Sequence, residues 1–383
     1  MKKNNYKISY PQLTAVNLLV LLIATLLWLN AKSSPILPAE RQLAFNRAKS
    51  LDNGISISWL EQTWNTDILN TEGIKTTDLQ LLKTLGFKSI RLPVAFKNFE
   101  KKNIPLKEVL TRVDEAWKLC RKYGFKLIID YHYGDLNDNN FVTATNDAIK
   151  TWTAIAQKYR NTAEGDLFFE LYNEPPPMNP QVWKDAAYNI VEAIRRIDSK
   201  RTLLIGASNY NSIYELSRFV PLKDENIIYT FHFYEPFLFT HQGADWVGNQ
   251  MATTGVGFPY SVDKFPQLDP KAKGTPGEAN YNKYHLDGNE GSVKDKLKIV
   301  KAWSDKYGVP ILCGEYGSYD KYADADSRCR YTKTVRHYLK QLGIPGILWD
   351  YNTNFSIFNN EQPSMKNLSD CMRDAIGYHQ SEP

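Results

Sequence analysis

The segment Leu167-Phe168-Phe169-Glu170-Leu171-Tyr172-Asn173-Glu174 decides how this chain folds. It is a short apolar run with polar groups at alternate positions. Glu170, Tyr172 and Glu174 share one parity, Phe169 and Leu171 the other. Side chains alternate along a β-strand, so the pattern predicts a strand with one greasy face and one face that carries charge. Seven more runs of strand character occur, at residues 55–60, 89–94, 126–131, 202–208, 227–233, 309–316 and 346–351. Between them lie longer amphipathic stretches. Residues 77–85 are stopped by Gly86 and residues 107–123 by Gly124, where glycine supplies the left-handed cap. Eight repeated βα units predict a single α/β domain, a (β/α)8 TIM barrel over residues 32–383. The alternative, a doubly wound open sheet, lacks the Gly-rich phosphate loop expected after its first strand.

Composition agrees. With 383 residues, 43% apolar and 13% aromatic, the chain has material for one large barrel or two ordinary domains, and disorder is excluded. The net charge of +5 includes Lys2, Lys3 and Lys7, so the remainder has no concentrated basic face and no nucleic-acid partner is expected. Those lysines precede an apolar stretch at residues 13–29 and then Leu29-Asn30-Ala31, the three-part layout of an export signal. Residues 1–31 are therefore expected to be a signal peptide or, because the stretch sits at the lower limit for spanning a bilayer, a retained anchor that tethers the protein to a membrane. Either way the folded part is expected outside the cytoplasm, as a secreted, periplasmic or membrane-anchored protein. Cys120 and Cys313 fall in a helical and a strand pattern and read as buried thiols. Cys329 and Cys371 fall in the last two helical segments, neighbours in a closed barrel, and are a candidate pair whose connectivity the sequence leaves open.

One stretch breaks the alternation. Residues 235–291, between the sixth strand and its helix, show no clear period, and loops of that length are usually functional. Its aromatics, Phe237, Phe239, Trp246, Phe258, Tyr260, Phe265, Tyr281 and Tyr284, are expected mainly to pack on one another. His241 and His285 read as surface residues of this loop without a role.

Strand parity gathers the remaining polar residues. Arg91 faces away from Ile90 and Leu92, Asp130 shares a face with His132, and His232 with Tyr234. Glu315 and Trp349 lie at the ends of strands seven and eight. Each is near the carboxyl end of its strand, where barrel active sites are built. Glu174 and Glu315 thus meet in one mouth with Arg91, His132, His232 and Tyr234. Paired carboxylates suit glycosidic bond cleavage: a neutral acid protonates the departing oxygen, and a carboxylate attacks the anomeric carbon or activates water. Which carboxylate does which is not readable from the strands. Glu170 shares the inward face but lies deeper and reads as a buried structural group.

On Ile90-Arg91-Leu92-Pro93, Asp130-Tyr131-His132, Asn173-Glu174-Pro175, His232-Phe233-Tyr234, Gly314-Glu315-Tyr316-Gly317 and Leu348-Trp349-Asp350, taken in order, the chain resembles glycoside hydrolase family 5, the family of many cellulases, over most of residues 50–376. The resemblance implies a retaining mechanism with Glu174 as acid/base and Glu315 as nucleophile. It implies that Asn173 binds the sugar 2-hydroxyl, that Arg91 and Tyr234 hold Glu315 ionised, and that His132 and His232 line the reacting subsite. Trp349 would be the floor under the sugar. The chain has Ser56 where the family often places asparagine, which leaves the subfamily open. Trp59, Trp64, Tyr133 and Trp246 are candidate sugar platforms.

Other chemistries find no support. Gly206-Ala207-Ser208-Asn209-Tyr210 begins like a serine-hydrolase elbow but lacks its final glycine. There is no zinc-binding His-Glu-x-x-His, EF-hand loop or phosphate loop, so neither metal nor cofactor is expected. The expectation is an exported, monomeric, retaining endo-β-glycosidase acting on a polysaccharide or oligosaccharide, foremost β-1,4-glucan. Mannanase or another β-glucanase of the same family is the alternative. A non-catalytic glycan-binding barrel would not need both carboxylates.

Overall fold

One ring of apolar side chains, Ile128, Phe168, Leu204, Ile228, Leu312 and Ile347, packs into a single buried cluster, each contributed by a different strand. Ala48 and Leu51, at the end of the helix Ala39–Ser50, belong to the same cluster. That helix has no apolar stripe, since its buried face is Ala44, Arg47 and Ala48, and it was not legible as an element. The computed structural model describes residues 37–64, 68–71, 73–359 and 362–378. The expected signal or anchor at residues 1–31 lies outside the described residues.

The strands are β1 Gly54–Ser56, β2 Ser89–Val94, β3 Lys126–Tyr131, β4 Leu167–Glu170, β5 Leu203–Ile205, β6 Ile227–Phe233, β7 Ile311–Tyr316 and β8 Gly346–Leu348. All pair in parallel in chain order, and β1 closes on β8 through Gly54 opposite Ile347 and Ile55 opposite Leu348. This is the (β/α)8 barrel, and the closure rules out the open sheet. The outer strand faces meet the helices in a second, larger core. The helix Leu106–Lys122 shows why: Val109, Leu110, Val113, Ala116, Trp117 and Cys120 recur at helical spacing and are buried. Gly86 and Gly124 take φ of 84° and 71°, the left-handed caps expected of them.

Two differences from the sequence-based expectation have physical causes. Several strands end early because the chain leaves the regular ladder near the barrel mouth and is held there by other bonds. After β4, Asn173 N donates to Tyr131 O at 2.9 Å, and after β1, Ser58 Oγ donates to Asp350 Oδ2 at 2.7 Å. The segment 235–291 is not irregular throughout: Pro276–Asp287 is a helix, hidden because polar residues surround it and only Gly277 and Tyr284 are buried. Its aromatics do pack on one another, Phe265 stacking on Tyr284 at 5.3 Å and on Tyr281 at 4.7 Å. Cys329 and Cys371 form a disulfide, whereas Cys120 and Cys313 are buried free thiols. Among the described residues, no helix is long and apolar enough to cross a membrane.

Candidate active site

The site is organised around one fully buried cation. Arg91, inward-facing on β2, donates through Nε and Nη2 to the two oxygens of Glu170 at 2.7 and 3.0 Å. Its Nη1 reaches Glu315 Oε1 at 2.6 Å, and Nη2 reaches Asn173 Oδ1 at 2.7 Å and Asp130 Oδ2 at 3.0 Å. Three carboxylates raise the guanidinium pKa above its ordinary value, against the opposing pull of burial. Glu170 is thus the buried structural partner expected of it. With its Oδ1 taken by Arg91, what Asn173 offers the cleft is its amide donor.

Strand alternation alone does not deliver Glu315. Leu312 points inward, so strict alternation would send Glu315, three residues on, outward. A bulge corrects this, because Phe231 pairs with Cys313 but His232 pairs with Glu315, skipping Gly314. Gly314 has to be small there: a Cβ would lie 2.4 Å from Thr230 Oγ1. Gly317 meets a similar limit, with a Cβ position 2.0 Å from the carbonyl oxygen of Trp349. On β4 the alternation lapses after Leu171. Tyr172 turns to the helix side, 5.8 Å from Trp183 and 5.6 Å from Tyr131, while Asn173 and Glu174 both line the cleft.

Glu174 and Glu315 meet at His232. Its Nδ1 lies 2.7 Å from Glu174 Oε1 and 3.3 Å from Glu315 Oε2, and one ligand atom from each of the three lies within 4.8 Å of the others. Burial lowers His232 to about 4 and His132 to about 3, so both rings are neutral at pH 7. His232 Nδ1–H then donates to Glu174 Oε1, with Glu315 Oε2 close by, and His132 Nδ1 donates to Asp130 Oδ2 at 2.6 Å. The same three residues have the spacing of a metal site. The fixed positive charge there, however, is already the Arg91 guanidinium.

The carboxylates have unlike surroundings. Burial raises Glu315, but Arg91 and the Tyr234 hydroxyl, at 2.6 and 2.7 Å, each donate to a different oxygen, which favours the ion. Tyr234 itself is raised far above an ordinary phenol, chiefly by burial, and stays a neutral donor. Glu174 has no cation in contact with it and is pushed up to about 7 by desolvation, with the more distant Arg91 charge among the groups opposing the rise. Burial thus raises both carboxyls, and only Glu315 has a cation and a phenol hydroxyl in contact to favour its ion.

Trp349 forms one wall. It lies parallel to His132 at 5.7 Å, with the Arg91 guanidinium 6.0 Å from its ring centre. A cavity of about 500 Å³ is lined by Trp349, both carboxylates, Glu61, Trp64, Tyr133 and Trp246. A second, of about 560 Å³, continues from Glu174 past Tyr210, Tyr214 and Phe237. Trp64, Tyr133 and Trp246 thus lie where sugar platforms were expected. Trp59 does not: its indole donates to Ile68 O at 3.2 Å and covers Gly73. His241 is not a surface residue, being buried against Phe237 at 4.3 Å and Tyr234 at 4.9 Å, whereas His285 is exposed.

Glu61 lies outside the strand parity that gathers the other site residues. It is buried in the cleft wall, accepts a hydrogen bond from the Tyr133 hydroxyl, and is raised to about 8 by burial, with the Asp350, Glu315 and Asp130 charges adding to the rise. Its position just past the first strand, at the barrel mouth, was the available signal.

Residues 49–355 match the family model described as Cellulase (glycosyl hydrolase family 5). The chain is 30% identical to Endoglucanase 3 of Fibrobacter succinogenes, over 82% of this chain and 51% of that protein. It is also 30% identical to Endoglucanase C of Acetivibrio thermocellus, over 76% of this chain and 87% of that one. This chain thus spans about half the length of the first relative. Among solved structures, Thermotoga maritima Cel5A in complex with cellobiose superposes with a TM-score of 0.70 at 26% identity, covering 87% of this chain and 99% of that one. The same protein has been solved with mannotriose.

Proposed function

The chain belongs to glycosyl hydrolase family 5, the cellulase family, and on that premise we propose that it is a retaining endo-β-1,4-glucanase with Glu315 as nucleophile and Glu174 as acid/base. The observation that carries this reading is the asymmetry of two carboxylates joined at one imidazole. Their oxygens come within 4.8 Å of each other, in keeping with the roughly 5–5.5 Å separation of retaining enzymes rather than the 6.5–9.5 Å of inverting ones.

The charge bookkeeping fits double displacement. Before reaction the pair holds one proton, on Glu174, and one negative charge, on Glu315. Glu174 gives its proton to the departing oxygen as Glu315 bonds to the anomeric carbon, so the charge passes from Glu315 to Glu174. In the second half Glu174 takes a proton from water, the water oxygen bonds to the anomeric carbon, and Glu315 leaves as the carboxylate. At each stage the cleft holds one charge between the two groups, and His232 Nδ1–H faces whichever bears it. Arg91 and Tyr234 receive the returning Glu315 carboxylate. Asn173 turns its amide to the sugar 2-hydroxyl, and Trp349 presents a flat apolar face to the ring.

The substrate reading draws on the endoglucanase relatives and on a cleft whose two lobes flank the reacting pair, as cutting within a chain requires. Mannan is the second reading, favoured by the neighbour solved with mannotriose. Export rests on the residue 1–31 pattern and is read out by the N-terminal sequence of the processed protein. The test is reducing-sugar release by the purified full chain and by Glu315→Gln on a soluble cellulose derivative, mixed-linkage glucan, mannan and xylan. Release from a glucan that is lost in the variant supports the proposal. Release from mannan or xylan alone overturns the substrate but not the mechanism, and release undiminished in the variant overturns the nucleophile.

A further inference from the structure

Beside the cleft, one buried cation lacks an anion. The arginines buried among the described residues are Arg47, Arg91, Arg201 and Arg328. The first three each meet an acid: Arg47 lies 3.3 Å from Glu164, Arg201 lies 2.9 Å from Asp198, and Arg91 holds its three carboxylates. Arg328, on the helix Ala325–Gln341, is only 7% exposed and forms no ion pair among the described residues. Its Nη2 donates to the Ser356 carbonyl, and its Nε is buried without a partner. Asp320 and Asp350 act on it only at a distance, and the Asp350 carboxylate already accepts from Ser58 and from Thr353 N. Burial lowers the Arg328 pKa, yet a guanidinium stays charged at any pH the protein meets. A buried charge without a counter-ion is unfavourable, and the bond to Ser356 needs only a donor, which a neutral side chain could supply. Packing therefore does not account for the charge.

Arg328 lines a cavity of about 470 Å³ that adjoins the cleft. Asn354 borders both this cavity and the lobe that holds Glu315 and Trp349. Tyr319, in the cavity wall, stands edge-on to Trp246 of the same lobe at 4.9 Å. Among the charged lining residues, Lys321 and Arg328 outnumber Asp320, so the cavity favours an anion. The planar guanidinium suits a carboxylate, and the adjoining cleft makes a group carried on the bound chain the one that reaches it. We propose that the Arg328 cavity binds the carboxylate of an acidic sugar, a uronosyl unit on the non-reducing side of the cleaved bond, and so selects acidic β-glycans over neutral ones. The inference rests on reading the cleft as a glycan-cutting one with Glu174 as the acid: the departing sugar then lies in the lobe that continues from Glu174 past Tyr214, and the lobe of Trp349 and Asn354 holds the other side of the chain.

The test compares cellopentaose with the same oligosaccharide carrying a glucuronosyl unit at its non-reducing end. The readout is the ratio of kcat/KM, acidic over neutral, for the wild-type protein and for Arg328→Gln, which removes the charge and keeps a donor. Lys321→Gln, at an exposed position, serves as a second variant should Arg328→Gln fail to fold. The expected ratio is about tenfold in the wild type at low ionic strength and shrinks as salt is added. It should fall to about one in Arg328→Gln and about twofold in Lys321→Gln. A wild-type ratio of one, or a preference that survives Arg328→Gln, would overturn the proposal. So would equal losses on both substrates, which would make Arg328 a support for the loop at Ser356. Calorimetric binding of free acetate while the two oligosaccharides are cut alike would assign the cavity to a small anion and overturn its glycan role. If the wild-type protein cuts neither oligosaccharide, the proposed activity fails separately. Calorimetric binding of the same pair then decides the cavity, and equal affinities would overturn it.

Discussion

Two regions of this molecule meet in one cleft and are built on opposite principles. Around Arg91, five side chains from four strands are fixed by charge: the guanidinium, three carboxylates and an amide, all buried and hydrogen-bonded to one another. In the segment after β6 the contacts are ring against ring, His241 on Phe237 and Tyr234, Trp246 edge-on to Tyr319 at 4.9 Å, with Trp246 left 53% exposed. The first region can hold a proton inventory but has no freedom to accommodate a different sugar. The second carries no charge at the reacting bond but presents flat apolar faces that can be replaced singly. Chemistry belongs to the strands and selection to the loops, and substitutions in the two regions should fail in different ways.

The largest effect is expected at Glu315. Glu315→Gln should lower kcat by on the order of 10⁴ or more on every substrate while the fold survives, since the amide still accepts from Arg91; kcat on polymer and on aryl glycoside, with circular dichroism, checks both halves. Glu174→Gln should cost on the order of 10²–10⁴ on unactivated substrate and much less on a glycosyl fluoride, whose departure needs no proton. A loss of equal size on both would place its role elsewhere.

Arg91→Met tests the charge-built region as structure. It leaves Asp130, Glu170 and Glu315 buried without their cation, and removing one partner of such an assembly costs roughly 3–5 kcal/mol, readable by urea unfolding. Little change in the midpoint would mean that the carboxylates are not jointly ionised.

Glu174 also sets a pH dependence. The acid must be protonated, so kcat/KM should fall about tenfold per pH unit above about 7, where its carboxyl is poised. Its pKa is raised on folding, so the folded state binds this proton more tightly than the unfolded chain does. The stability this contributes is fully present below the unfolded value of about 4.5 and disappears as pH rises through about 7. Glu174→Gln should accordingly gain stability relative to wild type over that window, and a constant difference across it would contradict the assignment.

The smallest expected change lies in the ring-built region. Trp246→Ala should reduce kcat/KM on polymer by roughly three- to tenfold with little loss of stability, because the exposed indole covers little of the core. A collapse in stability instead would make that loop part of the core.

The same division governed what was legible in the sequence. Strands β2, β3 and β6 matched their expected limits because each is a run rich in β-branched, apolar and aromatic residues, and Arg91, His132 and His232 followed from parity toward their carboxyl ends. Glu315 reached the cleft for a reason parity does not contain, the bulge at Gly314. Glu174 keeps the parity of Glu170, whereas Asn173 joins it in the cleft and Tyr172 leaves it because the chain departs from regular alternation after Leu171. Those two irregularities bring Glu315 and Asn173 into the cleft, and a motif identifies them where a period cannot. In the ring-built region no period exists to read: the buried His241 looked like a loop histidine, and Tyr210 is flanked by asparagines in a left-handed run where no glycine marks the turn.

The central claim is that Glu315 bonds to the sugar while Glu174 manages the proton. Incubation with a 2-deoxy-2-fluoro-β-cellobiosyl fluoride, followed by intact mass and peptide mapping, tests it directly. The account predicts a stoichiometric adduct on the peptide that carries Glu315, released on adding an acceptor sugar. An adduct on Glu174, or hydrolysis of glucan to the α-anomer with no adduct, would contradict it.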